Sequence, residues 1–145
     1  MTTPDSLEGQ FTLLTAAARY EELRIRDALA PGVRVDDEAD DPGGPDAVPL
    51  SAQEALELLA LSEVIIRKAG YGRQLAVRTA RAAGASWSQI GSALGTSKQS
   101  AWEAHARWID GQAAEQRRGG DGEVDAEWAV AARALAGEPG ADHGR

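Results

Sequence analysis

The side chains of Lys98, Gln99, Ser100, Trp102 and Glu103 fall within six consecutive positions, and their chemistry suits contact with base edges in a duplex groove. A glutamine amide pairs bidentately with adenine, a glutamate accepts from a cytosine amino group, and an indole can meet a thymine methyl. For Glu103 an ion pair with Arg107 four residues on is the stronger reading, and for Trp102 packing under a preceding helix is. Upstream, Arg67, Tyr71, Gln74, Arg78 and Arg81 recur at four-, three-, four- and three-residue steps, with Arg73 beside them. On a continuous helix this is one stripe, fit either to grip phosphates without reading sequence or simply to face solvent.

These residues need elements to aim them. Ser86 followed by Gln89 is a capping box, in which hydroxyl and amide reciprocally satisfy the free N–H groups of a helix start. Ile90 and Leu94 give that helix an apolar side, and Gly91 permits close approach. Gly95 stands where the chain must leave in a left-handed conformation. Ser97 then caps a second helix with Lys98 and Gln99 in its first turn. Two helices joined by so short a turn predict a helix-turn-helix, whose second helix enters the major groove.

The stretch GASWSQIGSALGTSKQSAWEAHARW resembles the helix-turn-helix of small actinobacterial DNA-binding proteins and, more distantly, promoter-reading region 4 of sigma factors. The similarity covers roughly residues 73 to 109. It implies that the second helix is the recognition helix, that Lys98, Gln99, Ser100, Trp102 and Glu103 occupy its exposed early positions, and that the partner is double-stranded DNA.

Composition sets the frame. In 145 residues, 43% hydrophobic, Ala and Leu dominate the apolar content while Phe and Met occur once each, which predicts an all-α chain. The absence of cysteine excludes disulfides and thiolate sites. His105 and His143 have no partner at metal-ligand spacing, and no nucleophile-base arrangement or phosphate loop is present. The expectation is a non-enzyme without metal or cofactor. Neither a leader nor eighteen consecutive apolar residues is found, so no membrane is implied and a cytoplasmic, nucleoid-associated location is expected.

The formal charge of −8 is unevenly placed. Val64 to Arg118 holds nine basic and three acidic residues, +6, against −14 for the remainder. Such asymmetry points to a nucleic-acid face with acidic appendages.

Four regions are expected. Residues 1–31 form an amphipathic helix on Leu7, Phe11, Leu14, Ala18, Ile25 and Leu29, stopped by Pro31-Gly32. Residues 32–50, with six carboxylates between Asp36 and Asp46 and three prolines, form a flexible acidic linker, able to compete with DNA for the basic face. Residues 51–118 form the helix-turn-helix domain, of tri-helical type. They open with the Ser51–Glu54 capping box, and Gly70 and Gly72 bend or interrupt the first helix before another from Arg73 to Ala83. Residues 119–145 supply a glycine loop, a short helix striped by Val124, Trp128, Ala131 and Leu135, and a polar tail. The helix from Leu56 to Ile66 is apolar on more than one face, as expected if it packs against two neighbours or a second subunit, and it could serve as a homodimer interface. The leading reading is a sequence-specific DNA-binding regulator. The alternative is an interaction module docking a sigma factor, RNA polymerase or another regulator, favoured by the acidic total and by Glu103.

Overall fold

The computed structural model describes residues 1–30, 48–119 and 122–141, and among them every regular element is helical. The helices are α1 (Pro4–Glu8), α2 (Leu13–Leu29), α3 (Ala52–Ala82), α4 (Trp87–Leu94), α5 (Lys98–Gly119) and α6 (Gly122–Ala136), followed by a 3₁₀ turn at Pro139–Ala141. The expected acidic linker falls almost wholly, and the Pro31-Gly32 stop, the Val124 side chain and His143 entirely, outside the described residues. No described helix is long and apolar enough to cross a membrane.

The chain forms two compact units, Met1–Gly70 and Tyr71–Arg145. The division falls inside α3 and not at residue 51, because the N-terminal helices bury their apolar faces against the first half of α3. Ala16 and Leu23 of α2 meet Leu61 and Val64 of α3, with Leu7, Phe11, Tyr20, Leu50, Leu58 and Ile65 packed around them. The single amphipathic helix expected from Leu7 to Leu29 is in fact two. Gly9 ends α1, and Thr12 starts α2 afresh through a capping box with Thr15. A local cap there outweighs the continuity of the apolar stripe.

Charge pairs fix the register of this unit. Arg19 grips Glu57 with two hydrogen bonds, Nε to Oε1 at 2.9 Å and Nη2 to Oε2 at 3.1 Å, and Arg26 pairs with Glu54. Arg67 reaches Asp5 at 2.8 Å. As numbers rise along α1 and α2 their partners on α3 fall, so the two strands of helix run antiparallel.

Of the bend or interruption expected at Gly70 and Gly72, the interruption is absent; α3 is continuous over 31 residues. Each interior glycine costs a helix only about 1 kcal/mol relative to alanine, and strong helix formers flank both. The Ser51–Glu54 box is present, with Glu54 N–H donating to Ser51 Oγ at 3.1 Å and Ser51 N–H to Glu54 Oε1 at 3.3 Å.

The second unit is built on Val77 of α3, Trp87 and Ile90 of α4, Ala101 and Ile109 of α5, and Ala132 and Ala136 of α6. Trp102, Trp108 and Trp128 pack against this core.

The Arg26 guanidinium and the Ser51 amide hold the Glu54 carboxyl below its ordinary value of 4.5. A depressed carboxylate stabilises the fold fully above its unfolded pKa and loses that contribution as pH falls through the folded one. Denaturant titrations followed by far-UV circular dichroism between about pH 3 and pH 7 should therefore show stability declining below pH 4.5, with a shallower decline in Glu54→Gln.

Candidate nucleic-acid interface

The connection between α4 and α5 is tight for reasons that can be traced atom by atom. Ser86 and Gln89 form the expected box at the start of α4, with Gln89 N–H to Ser86 Oγ at 3.1 Å and Ser86 N–H to Gln89 Oε1 at 2.9 Å. At the far end Gly95 takes φ 70°, ψ 29°. Its N–H donates to the Ser92 carbonyl at 3.2 Å, and the Thr96 N–H donates to the Gly91 carbonyl at 2.8 Å. These two bonds close a Schellman motif. Ser97 Oγ then accepts from the Ser100 N–H at 3.1 Å and starts α5.

The turn folds back on the middle of α4. A Cβ at Gly91 would stand 2.9 Å from each of Thr96 O, Ser97 C and Lys98 N, all backbone atoms with little room to move. Only glycine lets the start of α5 sit this close to α4.

Beyond the turn, α5 buries Ala101, His105, Ile109 and Ala113 at four-residue steps. Lys98, Gln99, Ser100, Glu103 and Arg107 are exposed on its other sides. Gln99 Nε2 donates to Glu103 Oε1 at 2.9 Å, so Glu103 pairs backward along the helix, not forward with Arg107. Arg107 is exposed, and the ion pair expected between it and Glu103 does not form. Ser100 Oγ bonds Ser97 Oγ at 3.0 Å and belongs to the cap.

Trp102 does not join the exposed set. Its Nε1–H donates to the Gly137 carbonyl at 2.7 Å, and its ring packs on the core. The expected packing occurs, but toward the carboxyl end of α6 and not beneath α4.

The upstream stripe dissolves into separate tasks. Arg67 lies in the first unit, bound by Asp5 at 2.8 Å, Glu63 at 3.1 Å and Glu8 at 3.5 Å; the carboxylates of Asp5 and Glu63 raise its pKa further. Three carboxylates around one guanidinium leave no net attraction for a phosphate. Gln74 is buried and accepts from His105 Nδ1–H at 2.9 Å. Arg81 donates from Nη1 to the Ala85 carbonyl at 2.9 Å and from Nε to that of Leu135 at 3.4 Å, with its guanidinium carbon 5.3 Å from the Trp87 ring centroid. It is a structural residue. Arg73 and Arg78 remain exposed, with no ion pair among the described residues.

Behind α5 runs an aromatic column. Trp108 stacks on His105 with centroids 5.5 Å apart and meets the edges of Tyr71 and Trp128, each at 5.9 Å; His105 also leans on Trp87 at 5.8 Å. Burial, reinforced by the positive charge of Arg78, pushes His105 below its ordinary value of 6.5, and its neutral ring keeps Nδ1–H for Gln74.

The feature that sequence reading missed is the carboxyl end of α6. Its last carbonyls lie beyond the reach of intrahelical donors, and three neighbouring elements supply them. Arg81 serves Leu135, Trp87 Nε1–H serves Ala136 at 2.8 Å, and Trp102 serves Gly137. The available signal was that a buried indole N–H needs an acceptor.

Comparison with family models, with curated proteins and with solved structures returned no match.

Gly91→Ala should lower stability by about 1–3 kcal/mol in denaturant titrations read by tryptophan fluorescence, while exposed Ser92→Ala stays within about 0.5 kcal/mol. In a proton NMR titration His105 should take its proton below pH 6.5. Because the unfolded chain binds that proton first, the second unit should be most stable above pH 6.5 and lose stability as pH falls below it; His105→Gln should flatten this dependence.

Proposed function

We propose that this chain is a sequence-specific DNA-binding protein of transcriptional control, with α4 and α5 acting as a helix-turn-helix on double-stranded DNA. The observation that carries the reading is the presentation of α5. Lys98, Gln99, Ser100 and Glu103 are exposed together in its first two turns, projected by a turn whose position Gly91 dictates, while Ala101, His105 and Ile109 hold the opposite side in the core.

In this reading α4 lies across the backbone and the first turns of α5 enter the major groove. Gln99 and Glu103, joined by their hydrogen bond, offer acceptor oxygens to exocyclic amino groups of cytosine or adenine. Lys98, Arg73, Arg78 and Arg107 serve phosphates, and the amino end of α5 adds its dipole. Trp102, Arg67 and Arg81 are withdrawn from the contact set because their polar groups are engaged within the fold.

A single recognition helix with four cations has modest affinity, so the protein acts as a homodimer on paired half-sites. Leu56, Leu59 and Ile66 on α3, each 57–66% exposed, support the interface expected there. On this reading the protein works in the cytoplasm on the nucleoid.

A second reading, docking onto a sigma factor or RNA polymerase, draws on one observation: the centre of the exposed face carries the carboxylate of Glu103.

Selection from a random duplex pool, then fluorescence anisotropy at several salt concentrations, separates the two. Arg73→Ala/Arg78→Ala should weaken binding to all sequences and flatten the salt dependence by about 0.9 per lost phosphate contact. Gln99→Ala/Glu103→Ala should cost about 1–3 kcal/mol on the selected site and relax its sequence preference. Arg67→Ala should leave affinity unchanged. No salt-sensitive binding to any duplex would reject the DNA reading and leave the docking module.

A further inference from the structure

The second unit contains a small cavity of about 110 Å³ lined by Arg78 from α3 and by Trp128, Ala131, Ala132 and Leu135 from α6. Its walls are hydrocarbon and indole apart from one charged residue. Arg78, like Arg73 and Arg107, has no carboxylate partner among the described residues; what sets it apart from them is its place in the lining of this cavity. Trp128 is held in place by its edge contact with Trp108, so the aromatic wall is fixed in advance. The space accepts several water molecules' volume. That suits the body of a short branched or aromatic acid and is too small for a nucleotide.

We propose that this cavity is a binding site for a small organic carboxylate, its anionic end held by the Arg78 guanidinium and its apolar body lying against Trp128, Ala132 and Leu135. A planar guanidinium matches a carboxylate with two parallel hydrogen bonds, and the apolar body gains by leaving water. The site also has an output. Resting on the DNA reading above, Arg78 is a phosphate contact, so a bound acid withdraws that cation from the backbone. It also bears on Leu135, whose carbonyl takes the Arg81 bond, at the end of the helix that anchors Trp102 of α5. The acid is thus an effector that weakens DNA binding.

The test uses the full chain with ¹⁵N-labelled indoles, titrated with isovalerate, butyrate and benzoate and, in parallel, with isovaleramide, butyramide and benzamide. At least one acid should shift the Trp128 indole resonance saturably, and the matching amide should bind at least about tenfold more weakly, since a charge-assisted pair is lost. Arg78→Gln should weaken the acid by a similar factor. Ala131→Phe, at an exposed lining position, should block the cavity without touching Arg78. Failure of all three acids to give a saturable shift overturns the site, as does equal binding of acid and amide or undiminished binding in either variant. In a second arm at matched ionic strength, the acid should lower DNA affinity in the wild type but not in Arg78→Gln. Binding of acid with unchanged DNA affinity overturns the effector role alone. If no duplex is bound at all, the DNA reading fails and the indole titration still decides the site.

Discussion

The second unit depends on how the carboxyl end of α6 is held. Three donors from three elements converge on three successive carbonyls: Arg81 from α3, Trp87 from α4 and Trp102 from α5. Each such bond is worth about 0.5–1.5 kcal/mol net, and an unmade one in this setting costs more than it would have contributed. Arg81 adds a favourable charge at the negative end of the helix dipole. The larger effect is geometric. Trp87 opens α4 and Trp102 sits in the second turn of α5, so both members of the pair are pinned to the same point. With Trp102 bound inward, rotation of α5 about its axis is set, and Gln99 and Glu103 must face out.

The aromatic column reinforces that orientation from behind. His105 lies one turn beyond Ala101 on the buried side of α5 and is tied to Gln74 of α3. A charged imidazole would be costly in this place, stacked on Trp108 and close to Arg78, and burial keeps it neutral. The result is a polar contact inside an otherwise apolar core. It specifies one register of α5 against α3 where alanine and leucine contacts alone would tolerate several.

How much of this was legible in the sequence follows from the range of each interaction. The caps are local. Ser51 with Glu54, Ser86 with Gln89, and Ser97 at the start of α5 could be read directly, as could the left-handed Gly95, because each involves groups within a few residues. The all-helical character followed from composition. The fates of the arginines could not be read, since Arg67 meets Asp5 across 62 positions and Arg81 meets Leu135 across 54. Periodicity places side chains on a stripe but says nothing of what waits opposite. For Trp102 the residue chemistry favours packing over base contact, but its acceptor, the Gly137 carbonyl 35 positions on, is out of reach of any local pattern. Gly70 and Gly72 misled in the other direction, because glycine weakens a helix without forbidding it. Gly91 was recognised as permitting close approach; that backbone atoms of the turn occupy the space of its missing Cβ emerges only from the fold.

On the proposed DNA reading, α5 is the surface that meets the duplex, presented by the turn at Gly91 and Gly95. Backbone amide NMR of the full chain, titrated with its selected duplex, addresses this directly. The account predicts that the largest shifts cluster at residues 97–103, with smaller ones near Arg73, Arg78 and Arg107. Shifts confined to α1, α2 and the first half of α3, with residues 97–103 unmoved, would contradict it.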